Sequence, residues 1–152
     1  MAKFTQVAAI DPETHPGFRR LFDKEGFKKL TEDGLDAMLA EVGMKMVVFA
    51  DDPNKMKETL DIVIIAPEIA KAFGNRLAGC WMSDTNTGRA LASRFGFRRL
   101  PAVALFKNEV CLGAAEGLMN WDDYIKTLAE IGSRQTAPKR TIAILAGSSK
   151  EN

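Results

Sequence analysis

The chain has 152 residues, 46% of them hydrophobic, which suits one domain around a single core and leaves little room for two. Its 21 lysines and arginines stand against 20 acids, so bulk charge gives no argument for nucleic acid or an anionic membrane, and any charged partner must be read from local patches. Cys80 and Cys111 are too few and too far apart for a disulfide framework or a thiolate metal site, which points to a reducing compartment. No window holds the roughly 18 apolar residues of a membrane helix, and VAAI before Asp11 is too short for a signal-peptide core. A soluble cytoplasmic protein without membrane insertion is expected.

Residues 1–17, with Pro12 and Pro16 and little periodicity, read as an irregular lead-in. Phe18, Leu21, Phe22 and Phe27 suggest a helical turn after it. Thr31, Glu32 and Asp33, followed by Leu35, Met38, Leu39 and Val42 at helical spacing, predict a capped amphipathic helix stopped by Gly43. MVVFA at 46–50 predicts a strand buried on both faces. The polar stretch DDPNKMKETLD follows at the strand's carboxyl end, where open α/β sheets place ligand crevices. A helix is predicted from Ile62, with Pro67 inside it to kink the axis.

CWMSD at 80–84 reads as a short strand and TNTGRALASRFGF as a helix ending near Gly96. After Pro101, AVALF is a strand, Lys107 to Glu109 a hairpin turn, VCLGAAE the returning strand, and NWDDYIKTLAEIG a terminal helix capped by Asn120. The order predicts a three-layer α/β sandwich with a central mixed sheet over residues 18–132. In the tail, 133–152, the run TIAILAG suits an edge strand or a groove, but its Lys/Arg, Gly and Ser flanks favour a flexible tail.

The remaining chemistry is sparse. His15 is the only histidine and reads as a solvated loop residue, which leaves no base for a Ser-His-Asp or Cys-His mechanism in the core. The glycines form no phosphate-cradling loop. Cys80 and Cys111 read as small buried hydrophobes, and Trp81 and Trp121 as core or half-buried anchors. Asp51, Asp52, Glu58 and Asp61 bracket Lys55 and Lys57, a pattern that by itself describes a solvated loop.

From Met46 to Ile131 the chain resembles thioredoxin: a buried strand, a helix with Ala66-Pro67, Arg98 to Pro101 ahead of an apolar strand, Phe106-Lys107-Asn108 at a hairpin, and a closing helix. The resemblance implies a thioredoxin-like fold with a cis proline at Pro101, an isomer that sequence alone does not show. It places the Cys-x-x-Cys positions at Thr59-Leu60-Asp61-Ile62, where neither cysteine is present. Disulfide exchange needs a low-pKa attacking thiolate and a resolving partner, so thioredoxin-type redox activity is not expected.

Asp52-Pro53, Glu58, Asp61, Arg94-Phe95-Gly96, Arg99, Pro101-Ala102 and Trp121 carry a closer likeness, over roughly residues 30–132, to the hydrogenase expression and formation proteins HyaE, HupG and HoxO. That resemblance implies a non-redox, non-enzymatic chaperone of an uptake [NiFe] hydrogenase, with no cofactor, metal or catalytic residue. Its implied partners are the small-subunit precursor, through its twin-arginine signal peptide, and other maturation proteins. Against such a partner the acids gain a role, because a carboxylate accepts two parallel hydrogen bonds from a guanidinium. Met56, Leu60, Ile62, Leu100 and Pro101 would supply an apolar groove, although Ile62 and Leu100 also suit the core. Arg98 and Arg99 would either repel a cationic peptide or pair with the loop acids. The alternatives are a thiol enzyme using one cysteine, and a module docking maturation factors through the helix of 31–42.

Overall fold

The computed structural model describes residues 9–74, 77–83 and 85–134, with the backbone alone for 85–88. In chain order it has α1 (Pro16–Asp23), β1 (Lys28–Leu30), α2 (Glu32–Ala40), β2 (Met44–Phe49) and α3 (Glu58–Ala72). Then come β3 (Ala78–Met82), α4 (Thr85–Arg94), β4 (Ala102–Lys107), β5 (Val110–Glu116) and α5 (Trp121–Gly132). The strands pair in the order β1-β3-β2-β4-β5. β1, β3 and β2 are parallel, while β4 runs antiparallel to both β2 and β5.

Successive residues of a strand point to opposite faces, and β2 shows how this sequence uses that rule. Met46, Val48 and Ala50 enter one core with α1, α3 and α5, while Val47 and Phe49 enter a second core with residues of α2 and α4. Both faces of the central strand are therefore buried, which is why its sequence is continuously apolar rather than alternating. Helices cover both faces of a mixed sheet, the three layers expected. The run TIAILAG lies outside the described residues.

Several elements differ from expectation. β1 was not anticipated, because three residues with only Leu30 buried leave no periodic signal. α1 begins at Pro16, whose preset φ suits a first helical turn. His15 is not a solvated loop residue but its N-cap: Nδ1 accepts the Gly17 N–H at 3.0 Å. α2 ends at Ala40, so Val42 lies past the helix and is 92% exposed, and Gly43 turns into β2 at φ +110. Thr31 occupies the N-cap position of α2 without a side-chain cap bond. α3 begins at Glu58 instead of Ile62, taking in four residues read as loop, two of them acids suited to the positive end of a helix. Asn120 caps α5 as expected, its Oδ1 accepting the Asp123 N–H at 2.9 Å. Of the core and half-buried places expected for Trp121, the core one does not hold: its side chain is 45% exposed.

Because β2 and β5 both oppose β4, the ends of β2 and β5 and the start of β4 lie at one end of the sheet. The lead-in is fastened at this end too: Ile10 exchanges two hydrogen bonds with the Asn54 side chain, at 2.7 and 2.8 Å, and Glu13 pairs with Lys29 at 2.8 Å. At the opposite end the buried Lys45 donates to the carbonyls of Leu39, Glu41 and Asn108, joining the α2–β2 segment to the β4–β5 turn. Among the described residues no helix is long and apolar enough to cross a membrane.

Candidate functional site

Three segments meet where β2 ends: residues 50–57, the approach to β4 at 95–101, and the β5–α5 connection at 117–120. In the first, Asp51 and Asp52 each hold a backbone N–H of the loop, and Asp51 also pairs with Arg89 of α4. Asp51 Oδ1 accepts the Asp52 N–H at 2.7 Å, and Oδ2 lies 3.3 Å from Arg89 Nη1 with only 13% of the Asp51 side chain exposed. Asp52 Oδ1 accepts both the backbone N–H and the side-chain amide of Asn54 at 3.0 Å, a turn that short acidic side chains form readily. The Asn54 backbone N–H, then its amide, hold the Asp52 carboxyl below the usual aspartate value.

Glu58 and Asp61 contrast with that pair. Both sit exposed on the first turn of α3, and neither carboxylate has a partner among the described residues. Met56 and Leu60 are half-buried, Leu60 against the α1/α3/α5 core. Leu100 packs against the other core, so the sheet separates these two leucines. Ile62 is fully buried core.

The Leu100–Pro101 bond is cis. Pro101 is buried, and its carbonyl accepts the Gly117 N–H at 2.9 Å. Glu116, which the sequence reading did not single out, fixes the preceding loop: its Oε1 accepts the N–H of Arg98 at 2.6 Å and of Arg99 at 3.1 Å. The only sequence signal for this was a carboxylate at the end of β5, opposite Ala102 in register. The Arg99 guanidinium lies over Gly117, where a Cβ would come within 2.9 Å of it. Neither guanidinium bonds the loop acids among the described residues; Asp51 takes Arg89 instead. With Pro101 engaged to Gly117, the Leu100 N–H and C=O have no partner among the described residues.

Both thioredoxin thiol positions are closed. Thr59 is 1% exposed and donates its hydroxyl to the Asp51 carbonyl at 2.8 Å, and Ile62 is 0% exposed. Cys80 on β3 and Cys111 on β5 are separated by β2 and β4, on the order of 14 Å at ordinary strand spacing, so they cannot bridge. Burial pushes the Cys80 thiol up, opposite to the shift a reactive thiolate needs. Trp81 packs edge-on against Phe18 in the core. Beside Thr59 lies a cavity of about 160 Å³ lined by Phe18, Phe22, Asp51, Trp81 and lead-in residues Pro12 and Glu13. It depends on a lead-in whose sequence has too little periodicity to tie it to the core. Among the described residues no three His, Cys, Asp or Glu side chains are placed to hold a metal.

This end of the sheet keeps a proline directly ahead of β4 and fills both thiol positions with buried, unreactive side chains, which defines a thioredoxin-fold protein without the fold's disulfide chemistry. The fold is shared with a solved thioredoxin of Plasmodium falciparum, at a TM-score of 0.51 and 17% identity over 68% of this chain and 96% of that one. Within the class, residues 18–124 match the sequence model of Hydrogenase-1 expression protein HyaE. The hydrogenase expression/formation protein HoxO of Azotobacter vinelandii is 31% identical over 127 residues, 82% of this chain and 84% of the relative. HupG of Bradyrhizobium diazoefficiens, described in the same words, is 27% identical over 99 residues, 65% and 66% of the two chains. The chain belongs to the HyaE family of hydrogenase expression and formation proteins.

Proposed function

We propose that this protein is a non-enzymatic accessory factor in the maturation of an uptake [NiFe] hydrogenase. It binds the twin-arginine signal peptide of the small-subunit precursor in the cytoplasm, before export. The observation that carries this reading is a sheet end with its thiol positions closed and its main chain open: Thr59 and Ile62 are buried, while the Leu100 N–H and C=O are unengaged among the described residues. Such an open main chain accepts an extended peptide by strand addition. Family membership supplies the hydrogenase context.

In this reading Glu58 and Asp61 meet the arginines, since they are exposed and unpartnered among the described residues. Asp51 and Asp52 shape the loop that presents them and add negative potential. Met56 and Leu60 contribute apolar surface, while the buried Pro101 and Leu100, which packs on the other core, contribute the main chain rather than a shared apolar groove. Calorimetric titration of the synthetic leader against Glu58→Gln/Asp61→Asn tests this assignment. Binding at least tenfold weaker, about 1.4 kcal/mol, with a shallower salt dependence is the expected outcome. Unchanged affinity would move the arginine site elsewhere.

A further inference from the structure

The β5–α5 connection holds two large apolar side chains in solvent at the edge where Leu100 is open. Leu118 is 40% exposed and Trp121, the first residue of α5, is 45% exposed. Their backbone is firmly placed: Gly117 donates to the Pro101 carbonyl at 2.9 Å, its own carbonyl accepts the hydroxyl of the buried Tyr124 at 3.2 Å, and Asn120 caps the helix. Leu118 is one residue from the bond to Pro101, and Trp121 follows within a turn. Large apolar groups held on a fixed backbone lose little freedom on binding, and tryptophan is prominent among residues that dominate interface energies.

The charges around this pair are ordered. α3 and α5 start at the same end of the sheet and pack on one core, through Ile62 and Val63 from α3 and Tyr124 and Leu128 from α5. Their first turns carry Glu58 and Asp61 on one helix and Asp122 and Asp123 on the other, all four exposed and without ion-pair partners among the described residues. The exposed Arg98 and Arg99 come from the approach to β4, and the Arg99 guanidinium lies over Gly117, next in the chain to Leu118. This end thus carries acids on both helix starts, with Trp121 among them, and Leu118 follows the glycine that lies under Arg99.

We infer that Leu118 and Trp121 are the apolar anchors of a peptide site running from Leu100 across the starts of α3 and α5. Its occupant is an extended segment in which adjacent basic residues precede an apolar run. The basic residues lie over Glu58, Asp61, Asp122 and Asp123, and the apolar run covers Leu118 and Trp121. The inference rests on the leader-binding reading above, but moves its apolar contacts from the β2–α3 loop to the β5–α5 connection.

The test uses the full-length protein and a synthetic peptide of two adjacent arginines followed by about ten apolar residues, a length that permits an extended segment to span the edge. Wild type, Leu118→Ser, Trp121→Ala and the double variant are titrated, with urea midpoints measured in parallel. The expected result is binding about fivefold weaker for each single variant and about twenty-five-fold weaker for the double. The tryptophan emission of the wild type is expected to shift to the blue on saturation and that of Trp121→Ala to stay in place. Wild-type binding with an unaffected double variant would overturn the anchors and leave the leader reading standing; no binding by wild type would overturn both. If a variant's urea midpoint falls, the wild-type emission decides, and an unshifted spectrum at saturation overturns the proposal.

Discussion

Asp52 shows what the charges of the β2–α3 loop do when no partner is present. Its carboxylate is held by two donors of Asn54, whose side chain in turn grips Ile10, so one acid fastens both the loop and the lead-in. The Asn54 N–H groups lower the folded pKa of Asp52, so near and below the ordinary aspartate value of about 3.9 the unfolded chain binds more protons than the native one. Stability from this group is therefore complete above that value and is lost as pH falls through the folded one. Asp52→Asn is expected to lower the urea midpoint at pH 7, with the gap to wild type closing as acid protonates Asp52; a gap constant from pH 7 to pH 3 would assign the effect to shape rather than charge. At this scale the sequence is least informative. The acids were visible as residues, but whether a carboxylate is occupied by Asn54 or faces solvent depends on loop geometry that no spacing encodes. The exposure of Trp121 and the capping by His15 were hidden for the same reason.

Among the elements, those with strong periodicity were legible: β2, the β4–β5 hairpin and α5 with its Asn120 cap appear where the pattern put them. The start of α3 was not, because Glu58-Thr59-Leu60-Asp61 looks like polar loop until tertiary packing buries Thr59 and draws the turn into the helix. β1 was invisible, since a three-residue edge strand exists only through its pairing with β3. That pairing brings Phe27, just before β1, over Gly79 of β3, where an added Cβ would lie 2.6 Å from the ring. Gly79→Ala must displace a buried aromatic ring and is expected to cost about 1–3 kcal/mol, read as a lower urea midpoint at constant m-value. An unaltered midpoint would show that Phe27 has room to move.

For the whole molecule, the mixed sheet with its two cores was legible because the order of strands, helices and hairpin leaves few ways to bury both faces of β2. That topology brings the β2–α3 loop, the approach to Pro101 and the β5–α5 connection to one end, although they are far apart in the chain. Where a thioredoxin places thiols there, this chain places a threonine bonded to its own backbone and a core isoleucine, and it leaves open the main chain beside the proline. We propose that this end recognises an unprocessed leader. The decisive measurement is capture of small-subunit chains from hydrogenase-producing cells by the full-length protein, with mass spectrometry of the retained species. Retention of the precursor with its leader uncleaved, and not of the leaderless subunit, is predicted; equal retention of the leaderless subunit, or of no small subunit at all, would contradict it.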